Sequence, residues 1–549
     1  MADRSGPVPP APSVGQALVA ELERRGVEAV FGIPGVHTIE LYRGLAGSSI
    51  RHVTPRHEQG AGFMADGFAR ASGRPGVAFV ITGPGVTNTI TPMAQALGDS
   101  VPLLVVSGVN EEQYLGRGRG HLHELPDQLA LTAGVTRASF HVTTPSELRP
   151  TIDAAWAAMT AGRPGPVHVQ VPIDVFALPC PPDPAPSSST TGLTVRHSGP
   201  PLPAADIADA ARHLSTADRL VLLIGGGAHR AAEAVATLAE HLDAPTVLTV
   251  AARGHLADHP LRVPASPSLA AVRRLLAEAD VVAAIGTELG PTDLDIYATG
   301  DLPRWATLLR FEVDAAQASR IPAEVTVVGR AEDTLPALIE ALAPPRRPVG
   351  LGAARAEAAC IAARAELSDD YRVMVAIVEA MAAAAPGAAI VGDSTQPIYA
   401  ANLFYGHGEL RGWYNSSIGF GALGYAIPAA IGAAVAEPGR RVLCLTGDGG
   451  AQFTLPELMT ATDERLPITF LVWNNGGYGE IALSMAAAGT EVIGCDPTPP
   501  SFAAVADACG MSYAQCPPEP RAVGDAVAAA GAGAGADGPH LIEITATHR

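Results

Sequence analysis

Asp448 and Asn475 are the pair in this sequence best suited to do chemistry together. Asp448 follows the apolar run Leu443-Cys444-Leu445-Thr446 in the turn Gly447-Asp448-Gly449-Gly450, and Asn475 follows Thr469-Phe470-Leu471-Val472-Trp473-Asn474 just before Gly476-Gly477. A short apolar run that stops at glycine reads as a buried strand opening into a loop. An acid and an amide on consecutive strand-end loops are hard oxygen donors, the kind that Mg²⁺ takes from protein while phosphate and water complete its octahedron. The glycines allow backbone to approach a bulky diphosphate closely. Between the loops, Thr454-Leu455-Pro456-Glu457 has capping-box spacing with proline near the helix start, so a helix N-terminus directed at the anion is expected.

A second group lies far upstream, in Pro55-Arg56-His57-Glu58-Gln59-Gly60-Ala61-Gly62-Phe63-Met64. Small residues crowd Glu58, and the apolar spacing that follows suits a buried helix. A carboxyl group there is partly desolvated, which favours a proton-sharing state.

The paired segments Gly447-Asp448-Gly449 and Asn474-Asn475 resemble the diphosphate-binding signature of thiamine-diphosphate enzymes. With Val30-Phe31-Gly32-Ile33-Pro34-Gly35, Arg56-His57-Glu58 and Thr82-Gly83-Pro84-Gly85-Val86-Thr87-Asn88, the chain resembles the acetolactate synthase and 2-oxo acid decarboxylase superfamily along nearly its whole length. The resemblance implies an α/β fold of three parallel-sheet domains: a pyrimidine-binding domain over 12–177, a central domain over 202–343 and a diphosphate-binding domain over 365–548. It implies that Asp448, Asn475 and the Gly477 carbonyl hold Mg²⁺, and that Gly447, Gly449, Gly450 and Tyr478 border the diphosphate. Glu58 would contact the aminopyrimidine ring and promote its imino tautomer, with Gly35 and Thr82 nearby. Gly421 and Leu423 match the positions that bind the amino group and keep the cofactor bent; Leu423 stands where acetolactate synthases usually carry methionine. The family also pairs Glu58 of one subunit with the diphosphate site of another, which implies a homodimer at least, with tetramers common.

The substrate side departs from acetolactate synthases. Their Phe-Gln-Glu triplet is replaced by Leu122-His123-Glu124, which makes His123 the ionisable group expected to face the substrate; imidazole donates protons near neutrality. The His-Glu-Leu-Pro-Asp-Gln stretch and the opening Gly35-Val36-His37-Thr38 look more like 5-guanidino-2-oxopentanoate decarboxylases. A guanidinium substrate wants a carboxylate, and Glu480 follows the metal loop directly, with Glu124, Asp127 and Asp393 as lesser candidates. The expected reaction is loss of CO₂ from a 2-oxo acid to leave an aldehyde. The alternative is acetolactate synthesis from two pyruvates. In the stretches where acetolactate synthases bind FAD, this chain reads Leu309-Arg310-Phe311-Glu312-Val313-Asp314 and Val263-Pro264-Ala265-Ser266-Pro267, and neither supports flavin.

The elements that must position these residues are those of a large α/β protein. The chain has 549 residues, 48% of them hydrophobic, too many for one core. Short apolar runs alternate with amphipathic helices. A Pro- and Ser-rich linker is expected over 178–201, a boundary at Pro344–Pro348 and a disordered start over 1–11. A net charge of −19 (36 basic against 55 acidic residues) opposes binding to nucleic acid or anionic membrane. The six cysteines lack CxxC spacing and read as thiols of a cytoplasmic protein. No signal peptide or membrane-spanning segment is evident. Readings of another class are an NAD(P)-dependent oxidoreductase using Gly225-Gly226-Gly227, which lacks the third spaced glycine, and a non-catalytic nucleotide-binding scaffold.

Overall fold

The computed structural model describes residues 11–180, 202–295, 300–344, 350–532 and 538–546. The expected disordered start, most of the expected linker and most of the Pro344–Pro348 boundary lie outside the described residues. The chain divides into two compact units, Met1–Ala69 with Gly73–His197 and Arg70–Ser72 with Ser198–Arg549.

The first unit is built on a six-stranded parallel sheet of β1 (Ala29–Gly32), β2 (Arg51–Val53), β3 (Gly76–Val80), β4 (Leu103–Val109), β5 (Ala138–His141) and β6 (Val167–Pro172), in the order β2-β1-β3-β4-β6-β5. β3, β4 and β6 are buried from end to end, as expected of a parallel sheet whose faces are covered by crossover helices. The helix Glu58–Ser72 starts where the His57 ring accepts the Gln59 N–H and ends at Gly73, whose φ of +70° is the left-handed cap.

The second unit carries two further sheets. One holds β7 (Leu220–Ile224), β8 (Thr246–Leu248), β9 (Arg262–Val263), β10 (Val281–Ile285), β11 (Leu308–Glu312) and β12 (Val325–Val328), in the order β12-β11-β10-β7-β8-β9. Read from β9 this is the doubly wound 3-2-1-4-5-6 arrangement. Two apolar clusters cover its faces, one around Leu222, Leu238 and Phe311 and the other around Leu223, Val272 and Leu276. The last sheet holds β13 (Ala389–Gly392), β14 (Trp413–Asn415), β15 (Val442–Gly447), β16 (Ile468–Asn474), β17 (Ser512–Cys516) and β18 (His540–Thr545), in the order β14-β13-β15-β16-β18-β17. That order repeats the first sheet's strand for strand. The helix Ala426–Ala436 packs on it with every residue buried, which its Ala, Gly and Ile composition permits.

Register places the loops. Gly447 at the end of β15 pairs with Trp473 near the end of β16, so the Asp448 and Asn475 turns leave neighbouring strand ends. In the first sheet Gly32 pairs with Phe79, so the chain enters the Gly35 and Thr82 turns from adjacent strands. Ligand sites of open α/β sheets lie at such carboxyl edges. The capping box expected at Thr454 does not form: Thr454 Oγ1 instead donates to the Gly424 carbonyl at 2.9 Å, and the seven-residue helix Glu457–Asp463 begins after Pro456 with no side-chain cap. Tertiary packing has redirected the hydroxyl to hold the 421–424 turn. No helix among the described residues is long and apolar enough to cross a membrane.

Candidate functional site

In the second unit, three oxygens converge at the ends of β15 and β16. Asp448 is 1% exposed and opens the short helix Asp448–Ala451. Asn475 Oδ1 lies 3.0 Å from Asp448 Oδ1 and 2.7 Å from the Gly477 carbonyl oxygen. Oxygens this close repel one another unless a proton or a cation lies between them. A half-turn of the Asn475 amide would supply N–H groups, but its neighbours forbid it. Gln396 Oε1 accepts the Trp473 indole N–H at 3.2 Å, and Gln396 Nε2 donates to Glu480 Oε1 at 2.9 Å. Indole only donates and carboxylate only accepts, so the Gln396 amide is fixed. Its Oε1 then requires Asn475 Nδ2, which donates to it at 3.2 Å, and Asn475 Oδ1 is left facing Asp448 and Gly477. Adjacent vertices of an octahedron with ~2.1 Å metal–oxygen bonds lie about 3.0 Å apart. The donor set therefore fits a small hard dication. Asp448 Oδ2 is also buried without a hydrogen-bond partner, a second sign of a group the site is built to receive.

Burial raises the Asp448 carboxyl above the usual aspartate value, while N–H groups of Asn475, Gly449 and Gly477 draw it back. Gly477 is required by its φ of +151° and because a Cβ there would lie 2.2 Å from the Cys495 carbonyl oxygen. The Tyr478 ring closes over the turn so tightly that a side chain at Gly449 would come within 2.6 Å of it. Glu480 sits in the first turn of the helix Gly479–Ala487, tied to Asn475 through Gln396.

The turn carrying Gly421 and half-buried Leu423 is anchored to the same sheet by Asp393 at the end of β13. Asp393 Oδ2 accepts the Gly424 N–H at 3.0 Å and the Thr446 hydroxyl at 3.4 Å, and Oδ1 accepts the Ser394 N–H at 2.8 Å. Complete burial pushes its carboxyl up to about 6 against those bonds. Asp393 is thus a structural brace, not a group that can meet a substrate guanidinium. Two other acids also have local duties. Asp127 caps the helix Gln128–Ala133, and Glu124 accepts the N–H groups of Gly120 and His121 at 2.7 and 2.9 Å.

In the first unit, Glu58 is half-buried at the first residue of its helix, and Asn88 Nδ2 donates to its Oε2 at 2.9 Å. The Thr82 hydroxyl is buried without a partner. Gly83 has φ +67°, and a Cβ there would lie 2.4 Å from the His123 carbonyl oxygen. The two turns are therefore in backbone contact, which brings His123, itself at φ +63°, beside the Thr82 loop. Gln128 locks the arrangement: its Oε1 accepts the Gly83 N–H at 3.0 Å, and its Nε2 donates to the Gly108 carbonyl and to Gln170 Oε1, both at 3.0 Å. Gly35 starts the turn Val36–Thr38 and packs against Ile81. Sequence reasoning missed Gln396 and gave Gln128 and Asn88 no role. Uncharged amides carry no spacing signal, and only the hydrogen-bond network shows what they hold.

Three segments of the chain match known domain families: "Thiamine pyrophosphate enzyme, N-terminal TPP binding domain" over residues 12–131, the central domain of the same enzymes over 207–338, and their C-terminal TPP binding domain over 391–544. The chain is 43% identical over 540 residues, 97% of its own length and 94% of the relative's, to the probable 2-ketoarginine decarboxylase AruI of Pseudomonas aeruginosa. It is 30% identical to the acetolactate synthase isozyme 1 large subunit of Escherichia coli, covering 84% of this chain and 81% of that one. With the acetolactate synthase of Mycobacterium bovis the identity is 32%, over 85% of this chain and 76% of the relative.

Proposed function

The chain belongs to the thiamine pyrophosphate enzymes, and on that premise we propose that it decarboxylates a 2-oxo acid non-oxidatively to an aldehyde and CO₂, the leading substrate being 5-guanidino-2-oxopentanoate and its product 4-guanidinobutanal. The observation that carries this reading is the 43% identity, across nearly both full lengths, with a relative named for the same oxo acid; the acetolactate synthases stand further off at 30–32%. The replacement of the Phe-Gln-Glu triplet by Leu122-His123-Glu124 supports it independently.

Thiamine diphosphate supplies a carbon nucleophile and an electron sink for the departing CO₂. The protein's contributions follow from its own residues. Asp448, Asn475 and the Gly477 carbonyl hold Mg²⁺, and Gln396 keeps the Asn475 oxygen turned toward it. Gly447, Gly449 and Gly450 admit the diphosphate, with Tyr478 closing the turn. Glu58 binds the aminopyrimidine ring and shares a proton with it, steadied by the Asn88 amide, while Gly35 and Thr82 shape the adjoining wall. Gly421 would receive the ring's amino group and Leu423 would pack against the cofactor. His123 would be the proton donor on the substrate side, and Glu480 would offer its carboxylate to the guanidinium.

The active unit is a homodimer, or a tetramer made of two such dimers, in the cytoplasm, over the domain boundaries 12–177, 202–343 and 365–548. We expect flavin to be absent or dispensable: in the stretch where synthases bind FAD, the Arg310 guanidinium donates to the carbonyls of Thr287, Gln317 and Ala318. A panel of 2-oxo acids, assayed for CO₂ and for the organic product with thiamine diphosphate and Mg²⁺ present, tests the reading. The guanidino acid should give one aldehyde per CO₂; acetolactate from pyruvate alone would overturn it.

A further inference from the structure

The two amides at the end of β16 answer to different carboxylates. Asn475 is turned by Gln396, which Glu480 holds. Asn474, the last residue of the strand, meets a second buried acid, Glu543 on β18, which is 8% exposed. Glu543 pairs in register with Val472, and Tyr513 of β17 pairs with Leu541. Side chains two residues apart in a strand share a face, so Tyr513, Glu543 and Asn474 form a diagonal row across three neighbouring strands. The Tyr513 hydroxyl donates to Glu543 Oε2 at 2.5 Å, and Asn474 Nδ2 donates to Oε1 at 2.6 Å. Burial, and then Glu543 itself, push the Tyr513 hydroxyl up to about 12, so it keeps the proton it donates.

The row ends at the turn that presents the Gly477 carbonyl. A carboxylate oxygen only accepts, so Glu543 takes the nitrogen end of the Asn474 amide. That leaves Asn474 Oδ1 for the Gly476 N–H, 3.2 Å away. Gly476 and Gly477 have φ of +80° and +151°. Glycine selects no conformation of its own, so bonds from outside the pair must set the turn. On its far side the Tyr478 N–H donates to the Cys495 carbonyl at 2.8 Å. That N–H shares a planar trans peptide with the Gly477 carbonyl, which therefore points the opposite way, to within 2.7 Å of Asn475 Oδ1.

We propose that Glu543 is a positioning residue for the metal site: by orienting the Asn474 amide it fixes the Gly476–Gly477 turn and so aims the Gly477 carbonyl, with Tyr513 steadying the carboxylate. This rests on the reading of Asp448, Asn475 and Gly477 as the Mg²⁺ site and adds to it the group that sets the third oxygen, as Gln396 sets the second. Glu543 reaches that oxygen only through Asn474 and the backbone of the turn.

The test is a Mg²⁺ titration of the full chain at saturating thiamine diphosphate, followed by tryptophan fluorescence, beside urea unfolding of the cofactor-free protein. Glu543→Ala should weaken Mg²⁺ binding about tenfold to a hundredfold, and Tyr513→Phe should weaken it less. Glu543→Gln, whose Oε1 still accepts from Asn474, should restore most of the lost affinity. Asn474→Ala should match Glu543→Ala, and the double variant should lose little more, because both changes break one chain of bonds. Unchanged Mg²⁺ affinity in Glu543→Ala, whatever its urea midpoint, overturns the proposal. So does a Glu543→Gln protein as weak as Glu543→Ala, or additive losses in the double variant. Should Glu543→Ala not fold, wild-type affinity in Tyr513→Phe overturns it instead. A wild-type protein indifferent to Mg²⁺ overturns the proposal together with the metal reading beneath it.

Discussion

Single side chains here act by presenting one atom in one orientation. Asn475 could turn either end of its amide toward Asp448, and the choice is made by Gln396, which is itself fixed by an obligate donor, Trp473, and an acceptor, Glu480. Outer-shell partners of this kind typically control metal affinity within about one to two orders of magnitude. Gln396→Leu should therefore weaken Mg²⁺ binding at least about tenfold, read as a rightward shift in a Mg²⁺ titration with thiamine diphosphate present. Trp473 reports directly, since its indole loses the same partner. Glu58 is held differently, by one bond from Asn88. Glu58→Gln keeps that neighbour and should leave cofactor affinity nearly intact, yet slow deuterium exchange at the cofactor's C2 position more than about a hundredfold. Exchange at the wild-type rate would remove Glu58 from the chemistry.

Elements act by fixing where turns meet. The turns of the first unit touch through backbone, at the Gly83 Cα and the His123 carbonyl. Only glycine fits at position 83, since φ there is +67° and a methyl group would collide with that carbonyl. Gly83→Ala should destabilise the protein by about 1–3 kcal/mol, measured by urea unfolding. It should also lower kcat more than it raises KM, because His123 is displaced. Wild-type kcat in a folded Gly83→Ala protein would dissociate His123 from the reaction. In the second unit Asp393 does comparable work, bracing the Gly424 turn against β15. That explains why a carboxyl group at the end of a buried apolar strand is itself buried so completely.

At the scale of the molecule, the first and last sheets share one strand order while the middle sheet follows another. Glu58 belongs to the first unit and the oxygen centre to the second. If the active unit is a homodimer, sedimentation should show dimers or larger species at working concentration, and specific activity should fall on dilution toward monomer; full activity in a demonstrated monomer would refute the assembly. Much of this protein was legible in its sequence. Apolar runs that stop at glycine, as at Leu443–Gly447 and at Val77–Thr82 before Gly83, mark buried parallel strands because both faces of such a strand must be apolar. Asp448 and Asn475 stand out because hard oxygen donors at two consecutive strand ends are rarely accidental. The α/β class and the family followed from those signals. Tertiary structure alone decided the rest. It took Thr454 from the cap its spacing suggested, turned Asp393, Asp127 and Glu124 to local bracing, and gave Gln396, Gln128 and Glu543 their neighbours. Periodicity records which residues avoid water. Which amide or imidazole meets which partner depends on contacts between distant segments, and those exist only once the sheets have formed.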